Sequence, residues 1–560
     1  MTKLIPTAEQ TACVGMIGEN RILKIVAGAG CSKTTTLSMV ANATECRSLY
    51  LAFNKAMVEE AKNKFPRWVT IKTTHGLAYG VFGTSLAHKL KRPLGRYVNV
   101  CGTGSEISRN FRIGPMHLDS GKTITAGGMG VAVKETVNRF EYSSDKEISS
   151  KHVSFAPVGT LIHDTSFSRA EYEAIVVGYA RLLWNLRKDV KSPILATHDT
   201  YLKLFQLSKP DLSMYDVVYL DEAQDTNDCV LDIISNLQNK IVFVGDPRQQ
   251  IYSWRGSVNA MAKFDCTQAT LSTSFRFGQA VADVANMILN STEPSELVLR
   301  GWDKLESTIG RYMDSEAPHA RLYRTNAALV ADGVELIVNG RKVALEIDVR
   351  DFVKVLESSI ALFNGDTQNV KHENILPFPT WEDLLIEAKL AGGELSRITT
   401  LISKGEATNV LRTLANYTKP AHPEVILTTA HKSKGREFDI VVLADDFPSC
   451  YNEDGEWVGL NEMEQNLLYV AATRARNQLI YNETVAEIMS RSQKSSSGLV
   501  IKPSQVCTGE EYLLMHEHTI DKVIGDCMRA GMITNREEIL DGIYMAEHEA
   551  RHGDYIQEEA

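Results

Sequence analysis

Four short clusters in this chain carry side chains that could handle a phosphate ester. The first is Ala27-Gly28-Ala29-Gly30-Cys31-Ser32-Lys33-Thr34-Thr35, directly behind the apolar run Ile22 to Val26. A strand entering a turn of small residues, with Lys-Thr opening a helix, is the layout of a phosphate-binding loop. Small residues let backbone N–H groups curl around phosphate oxygens, and the helix adds the positive end of its dipole. Lys33 would reach the β- and γ-phosphates, and the Thr34 hydroxyl would ligate Mg²⁺. Ser32 stands where such loops usually carry Gly before the Lys, which puts a Cβ at a tight point.

The second cluster follows Asp216 and the apolar run 217–220 with Asp221-Glu222-Ala223-Gln224-Asp225. Asp221 suits a Mg²⁺ ligand held through water, and Glu222 a general base that orients the attacking water. The third follows the strand-like run Ile241 to Val244. There Gln249 could sense a γ-phosphate, while Tyr252, Trp254 and Arg255 form an aromatic-plus-cation group suited to stacking bases. The fourth is Ser274-Phe275-Arg276-Phe277, whose Arg276 is a candidate γ-phosphate cation. Upstream of all of these, Gln10 offers donor and acceptor together to an adenine edge, and it equally suits a helix-start cap.

The elements that must position these groups alternate. Ser48 to Phe53 reads as a buried strand, then an amphipathic helix to Phe65, then a short strand Val69-Thr70-Ile71. Strands alternating with helices predict a parallel α/β sheet, with ligands at the strand ends. Residues 86–189 break the rhythm, basic at first (Lys89, Lys91, Arg92, Arg96) and helical from Arg169 to Leu186, as an inserted domain would. The first α/β domain is expected over 1–85 and 190–276. A second is expected over 277–347 and 421–490, with its own helical insertion at 348–420. In it, Glu424 to Leu427 and Ile440 to Leu443 read as strands, and Glu464 to Ala475 as a helix carrying Arg474. Residues 491–560 read as a linker and an acidic helical tail.

Composition is that of an ordinary globular chain, with 44% apolar and 23% charged residues. No run reaches 18 apolar residues and the N-terminus is polar, so the expectation is an intracellular protein without a membrane span. It would be cytoplasmic in a prokaryotic or phage-infected cell and nuclear in a eukaryotic one. The nine cysteines are scattered without Cys-x-x-Cys pairs, which indicates neither a zinc site nor a disulfide framework. The net charge of −10 does not exclude nucleic acid. Residues 507–560 hold 13 Asp/Glu against 4 Lys/Arg, whereas 81–160 hold 11 Lys/Arg against 6 Asp/Glu.

Taken together the motifs resemble those of superfamily 1 DNA helicases of the UvrD/Rep type. The phosphate loop, Asp221-Glu222-Ala223-Gln224-Asp225, Gly245-Asp246 through Arg255-Gly256, Thr429 through Asp439, and Tyr469 through Ala475 stand in that family's order. Phe53-Asn54-Lys55, Leu77-Ala78-Tyr79-Gly80, Thr197-His198-Asp199 and Ser274 through Gly278 resemble its F-box DNA helicase branch. No F-box segment is read ahead of the core, so a ubiquitin-ligase role is not expected.

The resemblance implies two RecA-like domains with parallel sheets, each interrupted by an insertion, and ATP with Mg²⁺ in the cleft between them. It implies Gln10 at the adenine, Lys33 and Thr34 at the phosphates and Mg²⁺, and Asp221 with Glu222 for hydrolysis. Gln249, Arg276 and Arg474 would sense the γ-phosphate, the two arginines as arginine fingers. Glu437 would contact the ribose, with Gly435 in the same nucleotide-binding set. Asn54, His75, Tyr252, Trp254, Arg255 and His431 would contact DNA. The implied activity is ATP-driven movement on single-stranded DNA, 3′→5′, at single-strand/duplex junctions in replication, repair or recombination. A nucleotide-gated scaffold with weak hydrolysis, favoured by Ser32, and an RNA helicase stay open as alternatives. The acidic tail is expected to meet a protein partner or to form an ordinary solvated helical pair.

Overall fold

The computed structural model describes residues 6–91, 100–252, 260–292, 295–313, 317–391 and 393–495. Its first sheet contains β1 (Ile22–Ala27), β2 (Ser48–Ala52), β3 (Val69–Thr73), β4 (Val217–Leu220), β5 (Lys240–Gly245) and β6 (Thr267–Leu271), in the order β3-β2-β4-β5-β1-β6. The second contains β7 (Thr308–Gly310), β8 (His319–Tyr323), β9 (Val343–Leu345), β10 (Val425–Thr429), β11 (Phe438–Leu443) and β12 (Ala475–Ile480), in the order β9-β10-β8-β11-β12-β7. Every pairing in both sheets is parallel. Parallel strands need crossovers that cover both faces, so central strands become apolar throughout. All four residues of β4 are buried accordingly.

Parallel packing also gathers the strand ends. The carboxyl ends of β1, β4 and β5 lead into the phosphate loop, Asp221-Glu222 and Asp246 to Gln249, all on one edge of the first sheet. In the second sheet β10 runs into His431 to Lys434, while Glu437 and Arg474 immediately precede β11 and β12. Arg474 is therefore not on a helix. The helix ends at Ala472, Thr473 turns the backbone (φ −77°, ψ 7°), and β12 begins at Ala475 because it pairs with β11 at Phe438.

One continuous apolar core links the two sheets. It runs from Leu23 and Ile25 through the helix Gln279–Leu289 to Leu467–Ala472 and Val441. Between β3 and β4 lies a separately cored helical region built on the helices Ala126–Tyr142 and Arg169–Lys188 (Phe140, Tyr172, Val176, Leu183). A second cluster over Phe352, Leu356, Leu384 and Ile398 lies between β9 and β10 and packs on the helix Asn326–Val338. Among the described residues, no helix is long and apolar enough to cross a membrane.

Candidate nucleotide cleft and nucleic-acid face

A cleft of about 550 Å³ lies where the carboxyl edge of the first sheet meets the segments preceding β11 and β12. Gly30 through Thr35, Asn54, Glu222, Gln249, Tyr252, Arg276, Gly435, Glu437 and Arg474 line it. Its size is in the range of small-molecule sites. Ala27, Gly28, Ala29 and Asp221 are buried and do not line it, and Asp221 accepts from the Thr34 hydroxyl.

The loop is shaped by two left-handed residues, Gly30 (φ 77°) and Ser32 (φ 53°). Gly30 is tightly backed: a Cβ there would meet Ser274 Oγ at 2.3 Å and Arg276 Cβ at 2.8 Å. The tightness expected at Ser32 is thus conformational, since a side chain in the left-handed region costs roughly 1 kcal/mol. Ser32 is the N-cap of the helix Lys33–Thr44 but makes no side-chain cap bond. Glu222 is strained in the same sense (φ 52°). Two non-glycine outliers facing one cleft is a pattern found where geometry serves function.

Charges converge here. Lys33 Nζ lies 3.0 Å from Glu222 Oε1. Burial alone would lower the Lys33 pKa, but Glu222, Asp246 and Asp221 outweigh it and hold it above its ordinary value. Burial pushes Glu222 up, while Lys33 and Lys434 pull harder and leave it below the usual carboxylate range. Asp221 moves the other way, raised by burial and by the Glu222 charge. It accepts hydrogen bonds from Tyr50 Oη (2.6 Å), the Thr34 hydroxyl (3.1 Å) and the Glu222 N–H (2.9 Å). A threonine hydroxyl and a carboxylate meeting at a phosphate loop are the hard oxygen donors that suit Mg²⁺, so the residues fit that ion. Thr34 and Asp221 would hold it, and it would offset phosphate charge.

Across the cleft, Arg276 Nε donates to Glu437 (3.1 Å) and its Nη1 to the Thr473 carbonyl (3.1 Å), both in the second half. Arg474 is buried, donating through Nε to the Val470 carbonyl (2.9 Å) and through Nη1 to the Arg436 carbonyl (3.2 Å). Burial, with the nearby Arg276 charge, pulls the Arg474 pKa down to about 9. Gln249 Nε2 is engaged with Asp246 (2.7 Å). Gln10 does not line the cleft; it closes a capping box with Thr7 and donates to the Thr36 hydroxyl (3.2 Å).

Two residues of the quoted motifs, assigned no role from sequence, cross between the halves. Lys434 forms an ion pair with Asp225 and donates to the Gln249 carbonyl (2.6 Å). The Tyr469 hydroxyl meets the Ala29 N–H (3.1 Å) and Asp246 (2.9 Å). Their position inside motifs was a visible signal; their partners, far away in sequence, were not.

Beside the cleft the Tyr252 ring lies 6.0 Å from Phe53 in a stacked arrangement, donates its O–H to the His431 carbonyl (3.1 Å), and has Lys434 Nζ 5.4 Å from its centroid. Phe53 is 42% exposed. Burial and the Arg324 charge draw the His431 pKa down to about 4, which leaves it neutral. Asn54 caps the helix Lys55–Lys62 through the Met57 N–H (3.0 Å). His75 is held elsewhere, its ring nitrogen 2.9 Å from Asp199 and its edge against Tyr201. Trp254 and Arg255 lie outside the described residues, as does the tail from 496 onward.

Two parallel sheets sharing a cleft, with a phosphate loop on one side and arginines on the other, define a two-lobed phosphate-loop protein. The UvrD/REP helicase N-terminal domain matches residues 7–265 and the UvrD-like helicase C-terminal domain residues 394–485. F-box DNA helicase 1 of Gallus gallus is 31% identical over 512 residues, covering 84% of this chain and 48% of that protein. F-box DNA helicase protein 1 of Schizosaccharomyces pombe is 30% identical over 526 residues, covering 86% and 58%. The ATP-dependent DNA helicase PcrA of Leuconostoc citreum is 28% identical over 141 residues, covering 23% and 18%. The chain belongs to the UvrD-like helicase family. It spans about half the length of the F-box helicases it matches.

Proposed function

We propose that this chain is a DNA-dependent ATPase that uses ATP and Mg²⁺ to move on single-stranded DNA, 3′→5′, and to open duplex at junctions. The observation that carries the reading is the cleft: Lys33 and Glu222, with Asp221 bonded behind Thr34, line one side, and the side chains of Arg276 and Arg474 line the other. Glu222, held ionised beside Lys33, would take the proton of an attacking water, and the arginines would neutralise the charge that develops on the transferred phosphoryl group. Arginines anchored to the second half tie that stabilisation to closure of the halves. Closure would shift Tyr252 against His431 and Lys434, and so pass the cycle to a strand stacked on Phe53 and Tyr252. Gly435 and Glu437 would hold the sugar side of the nucleotide. Domain limits of 1–85 with 190–276, and 277–347 with 421–490, with insertions at 86–189 and 348–420, are part of this proposal.

One observation favours a second reading, a nucleotide-gated scaffold with weak hydrolysis: Ser32 places a strained side chain in the loop. ATP hydrolysis with and without single-stranded DNA, beside Glu222→Gln, separates the two. Stimulation by DNA that is lost in the variant supports the motor. ATP binding without turnover supports the scaffold. Stimulation by RNA in preference to DNA would redirect the substrate.

A further inference from the structure

We propose that Tyr469 is a positioning residue that fixes the arginine-bearing end of its helix to the phosphate loop; this rests on the ATPase reading above. Tyr469 is fully buried on the helix Glu462–Ala472 and reaches across to the other half of the molecule. Its hydroxyl accepts the Ala29 N–H (3.1 Å) and donates to Asp246 Oδ2 (2.9 Å). The same Asp246 oxygen accepts from Gln249 Nε2 (2.7 Å), and Oδ1 accepts the Arg248 N–H (3.0 Å). One side chain of the second half thus touches both the loop backbone and the carboxylate that orients Gln249.

The same carboxyl end of that helix holds both arginines. Arg474 is anchored on the Val470 carbonyl (2.9 Å) and on the Thr473 hydroxyl (3.3 Å), and Arg276 on the Thr473 carbonyl (3.1 Å). Val470 follows Tyr469 directly, so the Tyr469 hydroxyl and the Arg474 anchor move as one rigid turn. A hydroxyl can accept from an amide and donate to a carboxylate through a single atom, whereas a phenylalanine ring fills the same space and does neither. Electrostatic help to a transition state falls off steeply with misplacement, so a helix freed at this point would deliver its arginines less well. Ground-state nucleotide binding, carried by Lys33 and the loop N–H groups other than that of Ala29, would be little affected.

The test uses the full chain. Tyr469→Phe is compared with wild type for single-strand-stimulated ATP hydrolysis and for thermal stability. Tyr172→Phe serves as the structural control, because Tyr172 is also buried and donates one hydrogen bond, to the Ser154 carbonyl (2.8 Å), far from the cleft. Tyr469→Phe is expected to lower kcat about tenfold, the effect of one lost hydrogen bond to a charged group, with KM within about twofold. Its Tm should fall no further than that of Tyr172→Phe, which should keep wild-type kcat. In an Asp246→Asn background, where the Ala29 contact remains, Tyr469→Phe should cost less than it does in wild type. Wild-type kcat in Tyr469→Phe, or an additive loss in that background, would overturn the assignment. If Tyr469→Phe does not fold, Asp246→Asn alone decides, and an unchanged kcat there overturns it equally. A wild-type chain without DNA-stimulated turnover would instead overturn the ATPase reading beneath it.

Discussion

At the carboxyl end of β1 the chain enters the helix Lys33–Thr44 through Gly30 and Ser32; at the carboxyl end of β8 it enters Asn326–Val338 through Arg324 and Thr325. Both are helix N-termini on the edge of a parallel sheet, and both favour negative charge through their dipole and free N–H groups. The second already contains its anions. Asp446 accepts the N–H groups of Arg324 and Thr325 (both 2.8 Å) and the Thr325 hydroxyl (2.9 Å), and Glu394 accepts the Asn326 N–H (2.8 Å). Thr325 also caps the helix, whereas Ser32 does not. Arg324 is occupied by Glu464 (2.6 Å). Similar sheets therefore end in one site open to a cleft and one filled by the protein's own carboxylates. If nucleotide binds, this favours the first end over the second.

The sharpest break in the comparison should come from the open end. Glu222→Gln should lower DNA-stimulated turnover by about 10³-fold while nucleotide binding, read by fluorescence titration, persists. Normal turnover would mean that the paired carboxylates of this end are merely packing. Lys434 is the cation that the second half sends across. Its partner Asp225 has a fully buried side chain with Oδ1 unpaired among the described residues, so Lys434→Met should lower unfolding stability by about 3–5 kcal/mol. Adding Asp225→Asn should restore most of that stability in denaturant titrations without restoring stimulation by DNA. Restored stimulation would show the pair to be structural only.

The filled end gives a smaller effect. Asp446→Ala removes the acceptor for two N–H groups and a hydroxyl and should cost about 2–3 kcal/mol. Because the vacated helix N-terminus would again favour an anion, sulfate should raise the Tm of this variant more than that of wild type. Equal responses to sulfate would break the comparison.

How much of this was legible in sequence differs between the two ends. The apolar run of β4 and the small residues behind β1 announce a parallel strand and a loop, because burial on both faces and left-handed backbone leave compositional traces. The occupied end leaves none: Asp446 and Glu394 lie 121 and 68 positions from the N–H groups they accept. The apolar pattern Leu467–Ala472 has no local stop and predicts a helix running through Arg474; β12 pairing with β11 ends the helix, and pairing is not local. Gln10 offered a side chain fit either for capping or for a ligand, and in the structure it closes a capping box; Asn54, expected at DNA, caps its helix. Lys434 and Tyr469 stood in recognised motifs, yet what they do depends on partners 209 and 440 positions away.

The smallest expected effect tests the open end at its one departure from the glycine pattern. Ser32 adopts φ 53° and ψ 43° and makes no side-chain cap bond, so its side chain contributes strain without a visible return. Ser32→Gly removes roughly 1 kcal/mol of left-handed strain, and most of that gain is offset by the freer unfolded chain. Tm should therefore move little. If the strain is relieved only when a phosphate organises the loop, it is already absent from the bound state, and the variant should bind ATP no more tightly than wild type. If the strain persists in the bound state, glycine cannot improve affinity either, since both states gain equally. Tighter binding, by about fivefold for each further 1 kcal/mol, requires strain greater in the bound loop than in the free one. That is the expected result, because drawing N–H groups around a phosphate tightens the turn at Ser32. Weaker binding would instead show that the Ser32 hydroxyl itself meets the nucleotide, and that this loop reaches its ligand with a side chain where glycine loops use only backbone.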